Sequence, residues 1–341
     1  ILEKAPLRDR GGNSALTGHM RFAFNGIDDL RPLVRHMSET EISKLVAGGL
    51  PKRTESDIWD EIMRVTNNLS DEELLQVHVT ESLKTVHWLA SKGHDWVPAP
   101  PTNDNVLSMN GGGMGLQQRN FAMLEKAGAA FHYETTASEL IEDKSGRVTG
   151  VRALTPQGYV TFHAKAVVLA CGGFEANAEM RARYLGPGWD TVHVRGVPFN
   201  TGDGFRMAMD IGALPHGSWS TCHASPQDIA LPKFTLPSVH VHKDSLHRYM
   251  YPYAIMVNTR GERFVDESWD TRGRTYASMG RELLAQPGGI AFQILDAKIR
   301  EMDLYLPNYR KATTAKADTL EKLAEQLDLD RKSTRLNSSH G

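Results

Sequence analysis

Glu3 and the Gly11-Gly12-Asn13-Ser14 turn are the first residues in the chain whose types and spacing can do chemistry. In dinucleotide-binding units a carboxylate at the end of a buried strand takes a ribose hydroxyl pair. Glycine-led turns offer unhindered backbone N–H groups to a pyrophosphate. On that reading Glu3 holds a ribose, and residues 11–14 lie against the rest of the nucleotide. No G-x-G-x-x-G precedes Glu3, although that fingerprint belongs about 20 residues upstream of such a carboxylate. The chain also opens without Met, so it reads as starting inside a domain. A lone strand glutamate is otherwise an ordinary surface carboxylate, and later motifs must carry the case.

The sharpest of those is residues 200–213, NTGDGFRMAMDIGA. Thr201 or Asp203 is placed to cap a helix whose apolar face is Phe205, Met207/Ala208 and Ile211/Gly212. Gly202 and Gly204 clear space for a ligand at its N-terminus. The glycines of Cys171-Gly-Gly-Phe174 let the chain pass close to a cofactor or a neighbouring strand, and Cys171 reads as a small core residue. No strand pattern precedes Asn110-Gly-Gly-Gly-Met-Gly115, so it reads as a substrate-side or interdomain turn rather than a phosphate cradle. His78 and His87 stand nine apart on one helix, which is not a same-face metal spacing, and His240 and His242 alternate without a further ligand. No metal site is expected.

The elements that position these residues follow from periodicity. Ser38-Glu-Thr-Glu41 is a capping box opening one helix, and residues 70–73 open a second with an apolar stripe of Leu75, Val79, Leu83, Val86 and Ala90. Gly93 closes it. Alternating runs at 130–135, 137–142, 148–154 and 159–164 predict a small antiparallel meander. Residues 166–170 form a continuous apolar run, read as a central parallel strand.

The 341 residues allow two domains with cores of their own. A formal net charge of −2 gives no reason to expect nucleic acid or an anionic membrane. Two cysteines make no disulfide framework and favour a reducing, cytoplasmic setting. No apolar run is long enough for a membrane span. Residues 330–340, DRKSTRLNSSH, match the translation of a sequencing-library adapter, so 330–341 is taken as an artefact.

Ile-Leu-Glu-Lys with Gly-Gly-Asn-Ser, Ala-Cys-Gly-Gly-Phe, Thr-Gly-Asp-Gly and Val257-Asn-x-x-Gly-Glu-Arg-Phe-Val-Asp-Glu267 stand in the order found in the fumarate reductase/succinate dehydrogenase flavoprotein family, FAD-binding type 2. The resemblance covers nearly all of residues 1–329. Within the family, residues 11–21 and 264–298 look most like FAD-dependent tricarballylate dehydrogenases. It implies an α+β protein: an α/β Rossmann-like FAD-binding domain of the glutathione-reductase-like, two-dinucleotide-binding type, with an inserted α+β capping domain. The domains fall at 1–217, lacking the first strand, and 218–329, an incomplete cap. The chain as it stands is expected to be inactive.

Carried over residue by residue, the resemblance implies that Glu3 binds the adenosine ribose. Gly12, Asn13, Ser14, Thr17, Gly18 and His19 line the pyrophosphate and flavin, Ala137 meets adenine, and Asp203 approaches the cofactor. Covalently flavinylated relatives carry histidine where Asn13 stands, so the FAD is expected to be non-covalent. His19-Met20 replaces a glycine pair of the family, which argues against a fumarate-specific pocket. On the cap, the resemblance makes His223 a substrate-carboxylate ligand and Arg272 the proton carrier, with Arg274 the weaker alternative. Arg248 is the expected replacement for a carboxylate clamp.

The implied reaction removes a proton and a hydride from adjacent carbons of a di- or tricarboxylate, with FAD as the acceptor. Cationic donors clamp the carboxylates and favour negative charge building at the α-carbon. Asp266, Glu267 or Asp270 is the expected proton relay. Other readings are a fumarate-type or other enoate reductase, a ketosteroid-type desaturase, and a flavin-fold module without turnover. The expected partners are a small carboxylate and an electron-transfer protein.

Overall fold

The computed structural model describes residues 1–47, 50, 52–99, 106–239, 246–301, 309 and 312–329. The chain divides into two units. One is Ile1–Phe174, Phe199–Gly217 and Leu236–Ser238; the other is Glu175–Pro198, Ser218–Thr235 and Val239–Gly341. Residues 175–198, expected with the cofactor domain, thus pack with the second unit. His240, His242 and the tail 330–341 lie outside the described residues.

In the first unit the opening residues run parallel to residues 130–135. Leu2 bridges His132, the Glu3 N–H donates to the His132 carbonyl at 2.8 Å, and the Thr135 N–H donates to the Glu3 carbonyl at 2.9 Å. Ligands of α/β sheets bind beyond the carboxyl ends of parallel strands. Glu3 stands near that end.

Four helices follow: α1 (Ile27–Leu30), α2 (Glu39–Ala47), α3 (Glu55–Val65) and α4 (Glu72–Ser91). The Ser38 box opens α2, with the Glu41 N–H donating to Ser38 Oγ at 3.3 Å and the Ser38 N–H to Glu41 Oε2 at 2.8 Å. Asp71 caps α4 by accepting from the Leu74 N–H at 3.0 Å, while Ser70 pairs with Thr66. The α4 stripe is buried as its spacing predicts, at Leu75, Val79, Val86 and Ala90. β1 (Trp96–Pro98) pairs antiparallel with β2 (Leu107–Met109), which leads into α5 (Gly112–Lys126). A strand therefore does precede the glycine run. The core between these elements gathers Phe22, Leu30, Val34, Val86, Trp96 and Leu116.

Three of the four expected runs form the antiparallel meander, as β3 (Thr136–Glu142), β4 (Val148–Thr155) and β5 (Gly158–His163), while residues 130–135 pair parallel with the opening residues instead. Helix α7 (Asp203–Asp210) lays Met207 on Leu140 and Val151, with Leu2, Ala137 and Ile211 around them. The run 166–170 is not a strand. Its residues have no ladder partner among the described residues, and Val168 is 87% exposed. An apolar run becomes a central strand only where neighbours pair both edges and cover both faces. Cys171 is exposed as well, not a core residue.

The second unit holds α6 (Ala178–Leu185), the antiparallel pair β6 (Ile255–Asn258) and β7 (Ala291–Ile294), α8 (Arg272–Leu284) and α9 (Leu320–Gln326). Buried Arg181 on α6 donates to the carbonyls of Trp189 (2.8 Å), Asp190 (3.0 Å) and Glu175, fastening this segment to itself. The Val257–Glu267 motif is architectural. Asn258 Oδ1 accepts from the Arg260 and Glu262 N–H groups at 2.9 and 3.1 Å. Buried Glu267 accepts from the Met256 N–H at 2.7 Å and pairs with Arg263. Helix α8 buries Thr275 and Met279, the latter against Tyr251 and Met256. At Gly280 a Cβ would stand 2.5 Å from the Ala224 carbonyl carbon. Glycine there lets residues 223–225 lie directly on the helix.

Candidate active site

The Glu3 carboxylate accepts from the Ala5 N–H at 2.8 Å and, more weakly, from the Gly11 N–H at 3.5 Å. A carboxylate offers about four lone-pair sites, so capacity remains for hydroxyl donors. Gly11, at φ +105°, starts the tight turn Gly12–Leu16. Against this turn lies α5, where the Gly113 N–H donates to the Thr17 carbonyl at 2.8 Å and a Cβ on Gly113 would sit 2.1 Å from the Ser14 carbonyl oxygen. The glycine run 110–115 thus permits backbone contact inside the first unit and is not an interdomain turn.

Three of the motifs meet at buried Asn200. A Cβ on Gly12 would stand 3.9 Å from Asn200 Oδ1, and one on Gly172 would stand 2.6 Å from Asn200 Nδ2. The Gly202 N–H donates to the Gly173 carbonyl at 3.0 Å. Neither Thr201 nor Asp203 caps α7, because the cap position is Gly202. Asp203 Oδ2 instead accepts from Lys4 Nζ at 2.7 Å and from the Thr201 hydroxyl at 2.8 Å. The opening strand, the Gly12–Leu16 turn and the start of α7 therefore form one neighbourhood. Asn13 and Ser14 sit on that turn, and Thr17 follows it. Nothing lies within 4 Å of the Cβ position of Gly18. His19 is exposed, with Nδ1 3.1 Å from Ser108 Oγ. Ala137 is on β3, packed with Met207.

The second unit carries the cationic residues. Arg272 is the first residue of α8, after Thr271, and is half-buried. Burial pushes the Tyr251 phenol up, while its bond to Thr275 and the Arg272 charge pull it down. Arg274 is exposed and lies 3.6 Å from Asp270. One helical turn beyond Arg272, Tyr276 meets the exposed His223 ring edge-on at 5.0 Å. Tyr276 also packs on Tyr249 at 5.2 Å, and Tyr249 stacks on His247 at 4.6 Å.

Arg248, the expected clamp, is buried on a carboxylate of its own chain. Its Nε and Nη2 donate to Asp228 Oδ2 at 3.0 and 2.6 Å, and Nη1 donates to the His247 carbonyl at 2.7 Å. Burial opposes ionisation of Asp228. The Ala230 N–H, the Thr313 hydroxyl and N–H, and Arg248 outweigh it and hold this carboxyl at about 2. The guanidinium edge that suits a carboxylate is thereby occupied, which removes Arg248 from the substrate assignment. Glu267 is held by Met256 and Arg263, so it is no proton relay either.

The FAD binding domain family model matches residues 45–333. The chain belongs to this family. Its cofactor is FAD, and the glycines that meet at Asn200, with the Glu3 carboxylate on the Gly11 N–H at the head of the same turn, fit a nucleotide. A fumarate reductase (cytochrome) of Shewanella frigidimarina is 27% identical over 312 residues, covering 85% of this chain and 52% of the relative. A 3-oxosteroid 1-dehydrogenase of Mycobacterium tuberculosis is 28% identical over 226 residues, covering 60% and 38%. The chain spans about half the length, or less, of these family relatives. Among solved structures, the open conformation of a flavocytochrome c3 fumarate reductase superposes with a TM-score of 0.67 at 22% identity, covering 98% of this chain and 54% of that one. A 3-ketosteroid Δ1-dehydrogenase from Sterolibacterium denitrificans gives 0.68 at 18%, covering 98% and 72%. The family fold is the α+β flavoprotein fold.

Sequence reasoning passed over Lys4, Arg195, His247, Tyr249 and Tyr276. His247 and Tyr249 carried a signal, since residues two apart on an extended segment share a face. Lys4 and Arg195 carried none, because each is defined by a partner distant in sequence. Among the described residues no group of three or more His, Cys, Asp or Glu is placed to hold a metal, and no helix is long and apolar enough to cross a membrane.

Proposed function

We propose that the whole protein is a FAD-dependent oxidoreductase acting on a CH–CH bond of a di- or tricarboxylate, in the manner of a tricarballylate dehydrogenase. The observation that carries this reading is Arg272 at the first position of α8. Helix N-termini favour negative charge and disfavour cations. An anionic ligand there would complement both the guanidinium and the positive end of the helix dipole. His223, on the ring of Tyr276 one turn further on, adds a second donor for a carboxylate. A steroid would call for an apolar lining in place of these cations.

FAD, when bound, supplies the two-electron acceptor. Glu3 binds the ribose hydroxyls, and the Gly12–Leu16 turn offers backbone N–H groups to the phosphates. Arg272 contacts the substrate carboxylate and, having first passed one of its own protons outward, takes up the proton leaving the adjacent carbon. With Glu267 held by Met256 and Arg263, Asp266 and Asp270 remain as carboxylates for passing the proton outward. Asn13, in place of a histidine, supports non-covalent attachment. The electrons leave to a separate electron-transfer protein, and two unpaired cysteines support a reducing, cytoplasmic setting.

The test is an anaerobic titration of the full-length protein. Tricarballylate is expected to bleach the oxidised flavin band. Bleaching by neither tricarballylate nor succinate, with reoxidation of reduced flavin by the matching unsaturated acid, assigns a reductase instead.

A further inference from the structure

Arg195 sits at the end of the aromatic row that runs from His223 through Tyr276 and Tyr249 to His247. Its Nη1 donates to His247 Nε2 at 2.6 Å and to the Tyr249 hydroxyl at 2.8 Å. An arginine can only donate, so His247 Nε2 is an acceptor and the neutral ring carries its proton on Nδ1. The Tyr249 hydroxyl donates onward to Ser225 Oγ at 3.1 Å, which also accepts from Gln227 Nε2 at 2.8 Å. Two aromatic side chains thus fix one end of the guanidinium, and both hydrogens of Nη1 are used.

Among the described residues the Nε and Nη2 donors have no protein partner, and no carboxylate pairs with Arg195. These donors form the side-on fork that matches a carboxylate bidentately. Its two side-chain partners, an imidazole and a phenol, carry no negative charge, and an anionic ligand would supply one to this half-buried cation. Arg248 shows the opposite state, with the same Nε/Nη2 edge closed on Asp228.

We propose that Arg195 anchors a third carboxylate of the substrate, the one beyond the pair flanking the reacting bond. This rests on the carboxylate-oxidoreductase reading and narrows it to tricarboxylates. His223 and Arg272 take the carboxylates at the reacting carbons. Arg195, held rigid by His247 and Tyr249, selects for the extra one.

The experiment measures dissociation constants on the full-length, FAD-loaded protein, read from perturbation of the oxidised flavin spectrum. The probes are tricarballylate, with three carboxylates, and succinate, with two. Because no turnover is needed, failure of the proposed reaction leaves this measurement intact. Arg195→Ala is expected to weaken tricarballylate binding 30-fold or more, on the order of the loss of one charge-assisted bidentate pair, while succinate binding stays within about twofold. Arg195→Lys keeps the charge without the fork and is expected to fall between wild type and Arg195→Ala; it decides the matter if the alanine variant does not fold. Equal loss for both acids, or loss for neither, overturns the proposal.

Discussion

Lys4 Nζ lies 2.7 Å from Asp203 Oδ2, joining the opening strand to the first residue of α7 across 199 positions of sequence. Both side chains are only partly exposed, and Thr201 donates to the same carboxylate oxygen. The pair therefore fixes the distance between the Glu3 turn and the Thr-Gly-Asp-Gly turn. Lys4→Ala and Asp203→Ala are each expected to lower stability by about 1–2 kcal/mol and to speed FAD loss, with a coupling of about 1 kcal/mol in the double-mutant cycle. Urea unfolding and flavin release after gel filtration read the two effects. Fully additive losses would mean that the contact does no positioning.

The Asp228–Arg248 pair gives the second unit an acid-sensitive fastening. Asp228 is held at about 2 against an ordinary 3.8. A carboxyl depressed on folding stabilises the protein above its unfolded pKa, and that contribution fades as pH falls toward the folded value. Stability is expected to drop by about 2 kcal/mol between roughly pH 4 and pH 2, and Asp228→Asn is expected to flatten that part of the curve. Arg248→Ala leaves a buried carboxylate unpaired and should cost about 3–5 kcal/mol. A variant that instead kept wild-type stability and lost only substrate affinity would restore Arg248 to the substrate site.

Gly280 makes room for the segment bearing His223. The Ala224 N–H donates to the Ala277 carbonyl at 2.8 Å, and the Gly280 N–H donates to the Ala224 carbonyl at 2.9 Å. Gly280→Ala places a methyl against Ala224 backbone, and backbone cannot yield as a flexible side chain can. The expected cost is about 1–3 kcal/mol of stability, together with a raised KM as His223 moves off Tyr276. Thermal unfolding and steady-state kinetics check both; an unchanged KM would detach His223 from substrate binding.

Much of the first unit was legible because its signals are local. A capping box spans four residues and the α4 stripe repeats every turn. What was not legible depends on partners. Residues 166–170 have the composition of a central strand, yet composition says nothing about whether neighbours are there to pair with it. Asp203 reads as a helix cap until Lys4 is placed beside it. Arg248 looks like a substrate ligand until Asp228, which no periodicity links to it, closes on its donors. Arg195 lay in a stretch assigned to the cofactor domain, and only its packing with the second unit brought it beside Tyr249.

The central claim is that Arg272 handles substrate charge and proton, and replacing it in the full-length protein tests this most directly. Arg272→Ala should retain stoichiometric FAD, since Arg272 is not among the cofactor residues, while turnover with tricarballylate falls about 10²–10⁴-fold, the usual contribution of a positioned proton-transfer group. Turnover within a few-fold of wild type, with FAD still bound, would contradict the account.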